Sequence, residues 1–231
     1  MTPPLRSGLL CVVSGPSGSG KTTLCRAACT AEGAHHSVSA TTRPPRTGEV
    51  EGRDYHFLAE DDFSRRVEAG EFLEHATVFG RHYGTLKSEV LPRLQRGQDV
   101  LIDLDVQGAA MLRAHGDPLV RRAHLDVFLV PPTLADLRAR LAGRHTDPPA
   151  TQDRRLAAAL EEIAHWSEYD YTLWSGTRES DLATLRGVLA TERLRSRRLL
   201  ELPGYGEIGT PVETEGATGE NPKSEIRNKS K

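Results

Sequence analysis

Gly15-Pro16-Ser17-Gly18-Ser19-Gly20-Lys21-Thr22 carries the spacing G-x-x-x-x-G-K-[ST]. The glycines let successive backbone N–H groups curl around an anion with no Cβ in the way. A lysine at the seventh position brings a point charge to the β- and γ-phosphates, and the hydroxyl after it faces Mg²⁺. An apolar run, Leu9–Val13, leads into the loop and a helical pattern leaves it, the context that gives the motif its meaning. That helix aims its N-terminus at the same phosphates. Gly15 to Thr23 is therefore expected to bind a nucleoside triphosphate.

Two further groups can do chemistry. Arg43 and Arg46 lie three apart in a Pro-stiffened, hydroxyl-rich stretch, Ser37–Glu49. Arginine forks match phosphate oxygens bidentately, and the phenols of Tyr55 and Tyr83 can donate to the same oxygens. Singly, such arginines could be surface ion pairs and such tyrosines core residues. Four donors beside a cluster of hydroxyls point instead to a second phosphorylated ligand. Val100-Leu101-Ile102-Asp103-Leu104-Asp105 is an apolar run ending in carboxylates, as a buried strand carrying an acid to the phosphate end of a sheet requires.

The elements that must position these groups follow from pattern. Strands are expected at 9–14, Asp54–Phe57, Phe72–Val78, within Gln98–Val106, at Ala123–Val130 and at Tyr171–Trp174. Helices are expected at 21–32 with Gly33 as stop, from a cap at Asp61 or Asp62 through Ala69, and near 87–96 and 108–115. Further helices are expected at Thr133–Leu141, Arg154–Ser167 and Ser180–Glu201. Residues 79–85 read as a turn, and the polar segment Gly143–Asp153, with Pro148-Pro149 inside it, reads as mobile. Alternating strands and helices behind a phosphate loop predict an α/β fold: a P-loop NTPase-type parallel sheet flanked by helices. Several strand signals in a row between 40 and 85 predict an inserted small mixed β subdomain. Residues 1–7 read as a loose leader and 206–231, with almost nothing to bury, as a disordered tail. Arg186, Arg193, Arg195, Arg197 and Arg198 read as a solvated helix face in preference to an anion patch.

The chain has 231 residues, enough for one large domain or one with insertions. Its 30 basic and 32 acidic residues give no drive toward nucleic acid or membrane, and no stretch approaches a membrane span. Three cysteines, Cys11, Cys25 and Cys29, suit a reducing compartment, so the reading is a soluble cytoplasmic protein, monomer or homodimer. Cys25 and Cys29 sit at i, i+4 and could share a metal; with no second ligand pair, buried thiols are the better reading.

The combination resembles guanylate kinase, of the nucleoside monophosphate kinases. The strings that carry the resemblance are GPSGSGKTTL, SVSATTRPPRTGEVEGRDYHF, GEFLEHATVFGRHYGT, VLIDLDVQGA, PPTLADLRARL and EYDY, in order, from about residue 8 to about residue 200. The resemblance implies Mg²⁺-dependent transfer of the γ-phosphoryl group of ATP to GMP, and to dGMP, giving ADP and GDP in purine metabolism. It implies a core (8–39, 86–142 and 155–205), a GMP-binding insertion (40–85) and a lid (143–154).

Residue by residue, Gly15, Pro16, Ser17, Gly18, Ser19, Gly20, Lys21, Thr22 and Thr23 fall on the ATP loop. Ser39, Arg43, Arg46, Glu49, Tyr55, Glu74, Tyr83, Thr85, Asp103 and Asp105 fall on the GMP site. Thr22 would hold Mg²⁺, with Asp103 reaching it through water. Arg144 and Arg155 would be lid arginines, catalytic with Lys21 and Arg43. Guanine offers N1–H and N2–H₂ donors that a carboxylate such as Glu74 accepts, and an O6 that Ser39 or Thr85 can serve; adenine reverses the pattern. Glu49 would orient an arginine. No general base is needed, because the attacking atom is already a phosphate oxygen.

Three features depart from the family. Trp174-Ser175-Gly176 stands where an Asn-Asp pair lies near the adenine, Pro148-Pro149 interrupts an acidic helical lid, and the tail has no counterpart. The alternatives are another P-loop small-molecule kinase of related fold and a non-catalytic guanylate-kinase-like interaction module.

Overall fold

The computed structural model describes residues 6–78, 80–142 and 149–200; at 142 and 149–153 it describes the backbone alone. In chain order the elements begin β1 (Leu10–Ser14), α1 (Lys21–Glu32), β2 (His35–His36), β3 (Ala40–Thr41), β4 (His56–Phe57), α2 (Glu60–Glu68), β5 (Phe72–Val78), β6 (Arg81–Leu86) and α3 (Lys87–Gln95). They continue β7 (Val100–Asp103), α4 (Val106–Arg113), α5 (Pro118–Ala123), β8 (His124–Val130), α6 (Leu134–Ala142), α7 (Pro149–Ile163), β9 (Tyr171–Trp174) and α8 (Arg178–Glu192).

The main sheet has the order β2-β7-β1-β8-β9, and all its pairings are parallel. Strand β1 lies at its centre, with β7 on one side and β8 on the other. The strand order reverses there, so a crevice opens at its carboxyl end, where α/β sheets bind ligands. The phosphate loop leaves β1 at that point. The period of two in β1 builds both layers of the core. Cys11 and Val13 pack with Leu24, Cys25 and Ala28 of α1 and with Leu185 and Leu189 of α8. Leu10 and Val12 pack with Val90 and Leu94 of α3, Leu112 of α4 and Val120 of α5. The strand is apolar throughout because both of its faces are covered.

A second, mixed sheet has the order β4-β3-β6-β5, with β3–β4 parallel and β3–β6 and β5–β6 antiparallel. Its core is Ala40, Phe63, Phe72 and Leu86, with Phe63 and Phe72 stacked at 4.5 Å between ring centroids. This is the mixed sheet that the run of strand signals predicts.

Several boundaries differ from the expectation. Residues 81–86 form strand β6, because Gly80 at φ 73° makes the reversal tight and frees the following residues to pair with β5; Phe79 lies outside the described residues. Helix α2 begins after Ala59, so Asp61 and Asp62 are first-turn acids that complement the helix dipole and do not cap it. Helix α5 lacks an apolar period long enough to predict it. It forms because Asp117 accepts the N–H groups of Leu119 and Val120, with Pro118 as the first helical residue. Helix α7 starts at Pro149, five residues before the expected Arg154, since proline at a first turn gives up no hydrogen bond. Residues 149–153 are therefore helical, while 143–148 and 206–231 lie outside the described residues.

The C-terminal arginines correct two expectations. Helix α8 ends at Glu192, short of Glu201. Four of the five arginines expected on a solvated face form ion pairs, and Arg197 is exposed. Arg193 bonds Glu32 at 2.6 Å and Asp99 at 2.8 Å, Arg186 bonds Glu32 at 2.5 Å, and Arg195 bonds Glu192 at 2.8 Å. Arg198, 0% exposed, donates to Glu192 and to the backbone oxygens of Glu192, Arg122 and His124. Arg6 and Ser7 are held by the same system. Arg6 donates to both oxygens of Asp99 at 2.6 and 3.0 Å and Ser7 N–H donates to Arg198 O, so the end of the expected leader is anchored.

Arg198→Met takes a donor from three backbone oxygens, while Glu192 keeps Arg195 and the Tyr171 hydroxyl. A buried acceptor left without a donor costs about 1–3 kcal/mol, so Arg198→Met is expected to lose about 3 kcal/mol or more in urea unfolding. The double variant Arg198→Met, Glu192→Leu is expected to regain little of it, because the backbone oxygens stay without that donor.

Candidate active site

The loop after β1 turns on three glycines. Gly15, Gly18 and Gly20 all have positive φ, at 142°, 83° and 99°. At Gly15 a Cβ would lie 2.1 Å from Leu129 O, so no other residue fits. Lys21, the first residue of α1, folds back and donates from Nζ to Gly15 O at 2.6 Å and Pro16 O at 3.1 Å. Burial lowers the Lys21 ammonium below its ordinary value, and the nearby carboxylates of Glu162 and Asp103 offset part of that. Thr22 Oγ1 donates to Asp103 Oδ2 at 2.5 Å, joining the loop to the end of β7. Burial raises the Asp103 carboxyl, but hydrogen bonds from His36 and Thr22 outweigh it and hold the group below its usual range.

Beyond Asp103 lies a cavity of about 160 Å³ lined by Ser39, Tyr55, Glu74, Tyr83, Asp103 and Asp105, among others. Six of the residues singled out from sequence thus meet in one space, drawn from both sheets. Thr85 stands at its back, donating from Oγ1 to Glu74 Oε1 at 2.6 Å. Glu74 is 6% exposed. Burial pushes its carboxyl up to about 7; the Thr85 hydrogen bond opposes the rise and Asp105 adds to it. Asp105 spends one oxygen capping α4 through Gly108 N–H at 2.8 Å. Gly108 is itself constrained, since a Cβ there would lie 3.1 Å from Glu74 Oε2.

Arg43 is gripped by Glu49, with Nη2 2.8 and 2.9 Å from the two carboxylate oxygens, and its guanidinium lies over the Tyr55 ring at 5.3 Å. Glu49 also accepts Arg46 N–H at 2.8 Å, which fixes the turn and leaves the Arg46 side chain exposed. The Tyr55 and Tyr83 rings meet edge to face at 6.1 Å. The arrangement offers a cationic and phenolic end at Arg43, Tyr55 and Tyr83, and a carboxylate end at Glu74. Arg155 is half-buried on α7, and Arg144 lies outside the described residues.

The guanylate kinase family model matches residues 7–192. The chain belongs to the guanylate kinase family. A guanylate kinase of Thiobacillus denitrificans is 42% identical over 202 residues, covering 87% of this chain and 94% of that protein. One from Alkalilimnicola ehrlichii is 45% identical over 192 residues, covering 83% and 92%. In three dimensions the chain is similar to the crystal structure of guanylate kinase from Anaplasma phagocytophilum, with TM-score 0.69 and 30% identity over 85% of this chain and 92% of that one.

Three residues at the phosphate loop of this guanylate kinase family member have no local sequence signal. Glu162 of α7 accepts Ser17 N–H at 3.1 Å, where a phosphate oxygen would compete for the same donor. Arg140 of α6 donates to Ser19 O at 3.2 Å and Ser175 Oγ at 2.9 Å. Asp181 of α8 accepts Ser175 Oγ–H at 2.9 Å and Gly176 N–H at 2.7 Å. A cavity of about 450 Å³ lies along this edge, lined by Gly18, Thr23, Arg140, Ser175 and Asp181 among others. The Ser175-Gly176 departure is thus held in place by Asp181, which comes from a neighbouring helix. Trp174 is 70% exposed.

Proposed function

We propose that this chain transfers the γ-phosphoryl group of ATP to GMP, releasing ADP and GDP, and accepts dGMP by the same guanine edge. The observation that carries the reading is the buried Glu74–Thr85 pair at a cavity that Tyr55 and Tyr83 also line, with Arg43 stacked over the Tyr55 ring. A monophosphate of guanine has that polarity. Its N1–H and N2–H₂ donors meet a carboxylate and its phosphate meets cationic and phenolic donors.

Residues 40–85 serve as the acceptor subdomain and 143–154 as the lid, with Arg144 and Arg155 closing over the transferring group. Thr22 Oγ1 and Asp103 Oδ2 are hard oxygen donors 2.5 Å apart, a pair that suits Mg²⁺, with Asp103 binding through water. Mg²⁺, when bound, neutralises charge on the β- and γ-phosphates. The rest belongs to the chain. The loop amides orient the donor, Lys21 follows the moving group, Arg43 and the tyrosines aim the acceptor oxygen, and closure excludes water as a rival acceptor. Among the described residues no helix is long and apolar enough to cross a membrane, and the three cysteines are free and buried. Both fit a cytoplasmic enzyme.

ADP release measured with GMP, dGMP, AMP, UMP and CMP tests the proposal. Guanine nucleotides are expected to exceed AMP by about 10³-fold or more in kcat/KM, because a desolvated donor–acceptor mismatch is that costly. Equal rates with AMP would overturn the guanine reading.

A further inference from the structure

The two oxygens of Asp103 face different partners. Oδ2 accepts from Thr22, on the side of the phosphate loop. Oδ1 lies 2.9 Å from His36 Nε2. Beyond that pair lies the thiol of Cys25, fully buried on the core face of α1. One donor atom from each of Cys25, His36 and Asp103 falls within 4.8 Å of the others. Cys29, the partner that sequence spacing suggests for Cys25, is not in this group. We propose that Cys25, His36 and Asp103 form a binding site for a divalent transition metal of the zinc type, separate from the Mg²⁺ position and sharing only the Asp103 carboxylate with it.

Donor chemistry selects the ion. Thiolate, imidazole and carboxylate together suit zinc and its neighbours, whereas Mg²⁺ demands oxygen ligands. Metal–ligand bonds of about 2.0–2.3 Å place tetrahedral ligands about 3.3–3.8 Å apart. With one sulfur the S···N and S···O pairs lie about 3.5 Å apart in such a site, so the pairs need to close by up to about 1.3 Å, with water as the fourth ligand. Thiolate and carboxylate balance the two positive charges. The Lys21 ammonium, which interacts with both Cys25 and Asp103, opposes an added cation and so disfavours ions that gain nothing from sulfur. Access is through a polar cavity of about 200 Å³ lined by His36, Asp103, Thr22 and Asp54 among others. Cys25 does not line it, so an ion enters by parting the His36–Asp103 hydrogen bond.

On binding, the S–H bond of Cys25 is replaced by a sulfur–metal bond and its proton leaves to solvent through the cavity. His36 coordinates as the neutral ring, and no group changes oxidation state. A metal bound here holds Asp103 away from the position that serves the triphosphate, so zinc-type ions inhibit a Mg²⁺-dependent reaction through this site.

The test is a titration of the full-length chain, without nucleotide, with CoCl₂, followed by absorption. A thiolate-to-Co(II) charge-transfer band in the near ultraviolet is expected, displaced by ZnCl₂ and untouched by excess MgCl₂. Cys25→Ala is expected to abolish the band while keeping the activity with Mg²⁺ and ATP, which also reports that it folds. His36→Val is expected to keep the band but weaken Co(II) binding about 10- to 100-fold. Absence of the band in the unaltered protein, its survival in Cys25→Ala, or unaltered affinity in His36→Val would each overturn the site. Because the readout needs no turnover, these outcomes are independent of whether GMP is the acceptor.

Discussion

Lys21→Ala is expected to lower kcat for phosphoryl transfer by about 10³-fold or more, while the Kd for GMP stays within about twofold of the unaltered protein. Lys21 Nζ already sits inside the loop on Gly15 O and Pro16 O, so on the proposed reading its charge is preorganised for the β- and γ-phosphates. Positioned cations of this kind act in the transition state and are worth several kcal/mol. GMP binding is expected to survive because the acceptor cavity is lined by residues of other elements. Lys21→Arg is expected to fail nearly as badly. A planar guanidinium has a different shape from an ammonium, and the Gly15 carbonyl it would meet belongs to a loop packed tightly against Leu129 O. Single-turnover kinetics with ATP and equilibrium dialysis of GMP separate the two effects. A variant that transfers at the normal rate would remove Lys21 from the mechanism.

Glu74→Gln is expected to reduce kcat/KM for GMP by about 10³-fold and to narrow the margin over AMP. The amide would present N–H₂ to guanine's own donors in a site that excludes water. The same residue sets a pH dependence. Burial holds the Glu74 carboxyl at about 7 in the free protein, and guanine needs the carboxylate. Below pH 7 the free enzyme must give up a proton to bind GMP. The apparent Kd should therefore weaken toward tenfold per pH unit as pH falls through about 7, and level off above it. For folding the sign is the opposite. The carboxyl titrates higher in the folded than in the unfolded chain, so its favourable contribution is full below the unfolded value and is lost as pH rises through about 7. Calorimetric titrations of GMP between pH 5.5 and 8.5 check the binding limb. Glu74→Gln should flatten it, whereas a persisting slope would assign the pH dependence to another group.

Much of this protein is local and so legible in its residues. The phosphate loop is written in backbone requirements: glycines where φ must be positive, and a lysine at the helix start. Strands β5 and β9 have the expected ends because alternation and bounding turns are short-range signals. The mixed sheet follows from a break in the strand–helix alternation.

What the sequence left open is mostly set by contacts between distant residues. A run of arginines after α8 has the same spelling whether it is solvated or paired, and only the arrival of Glu32, Asp99 and Glu192 decides. Glu162 and Arg140 reach the phosphate loop from helices more than a hundred positions away in the chain. The sequence alone determined that a glycine-rich phosphate loop stands between a buried strand and a helix, since that depends on neighbouring residues. Only the tertiary structure decided that Glu74 and Asp103 line one cavity with Thr85 bonded to Glu74, and that Asp103 turns one oxygen to Thr22 and the other to His36. Those facts depend on where two sheets meet, and burial at that junction gives the carboxylates their chemistry.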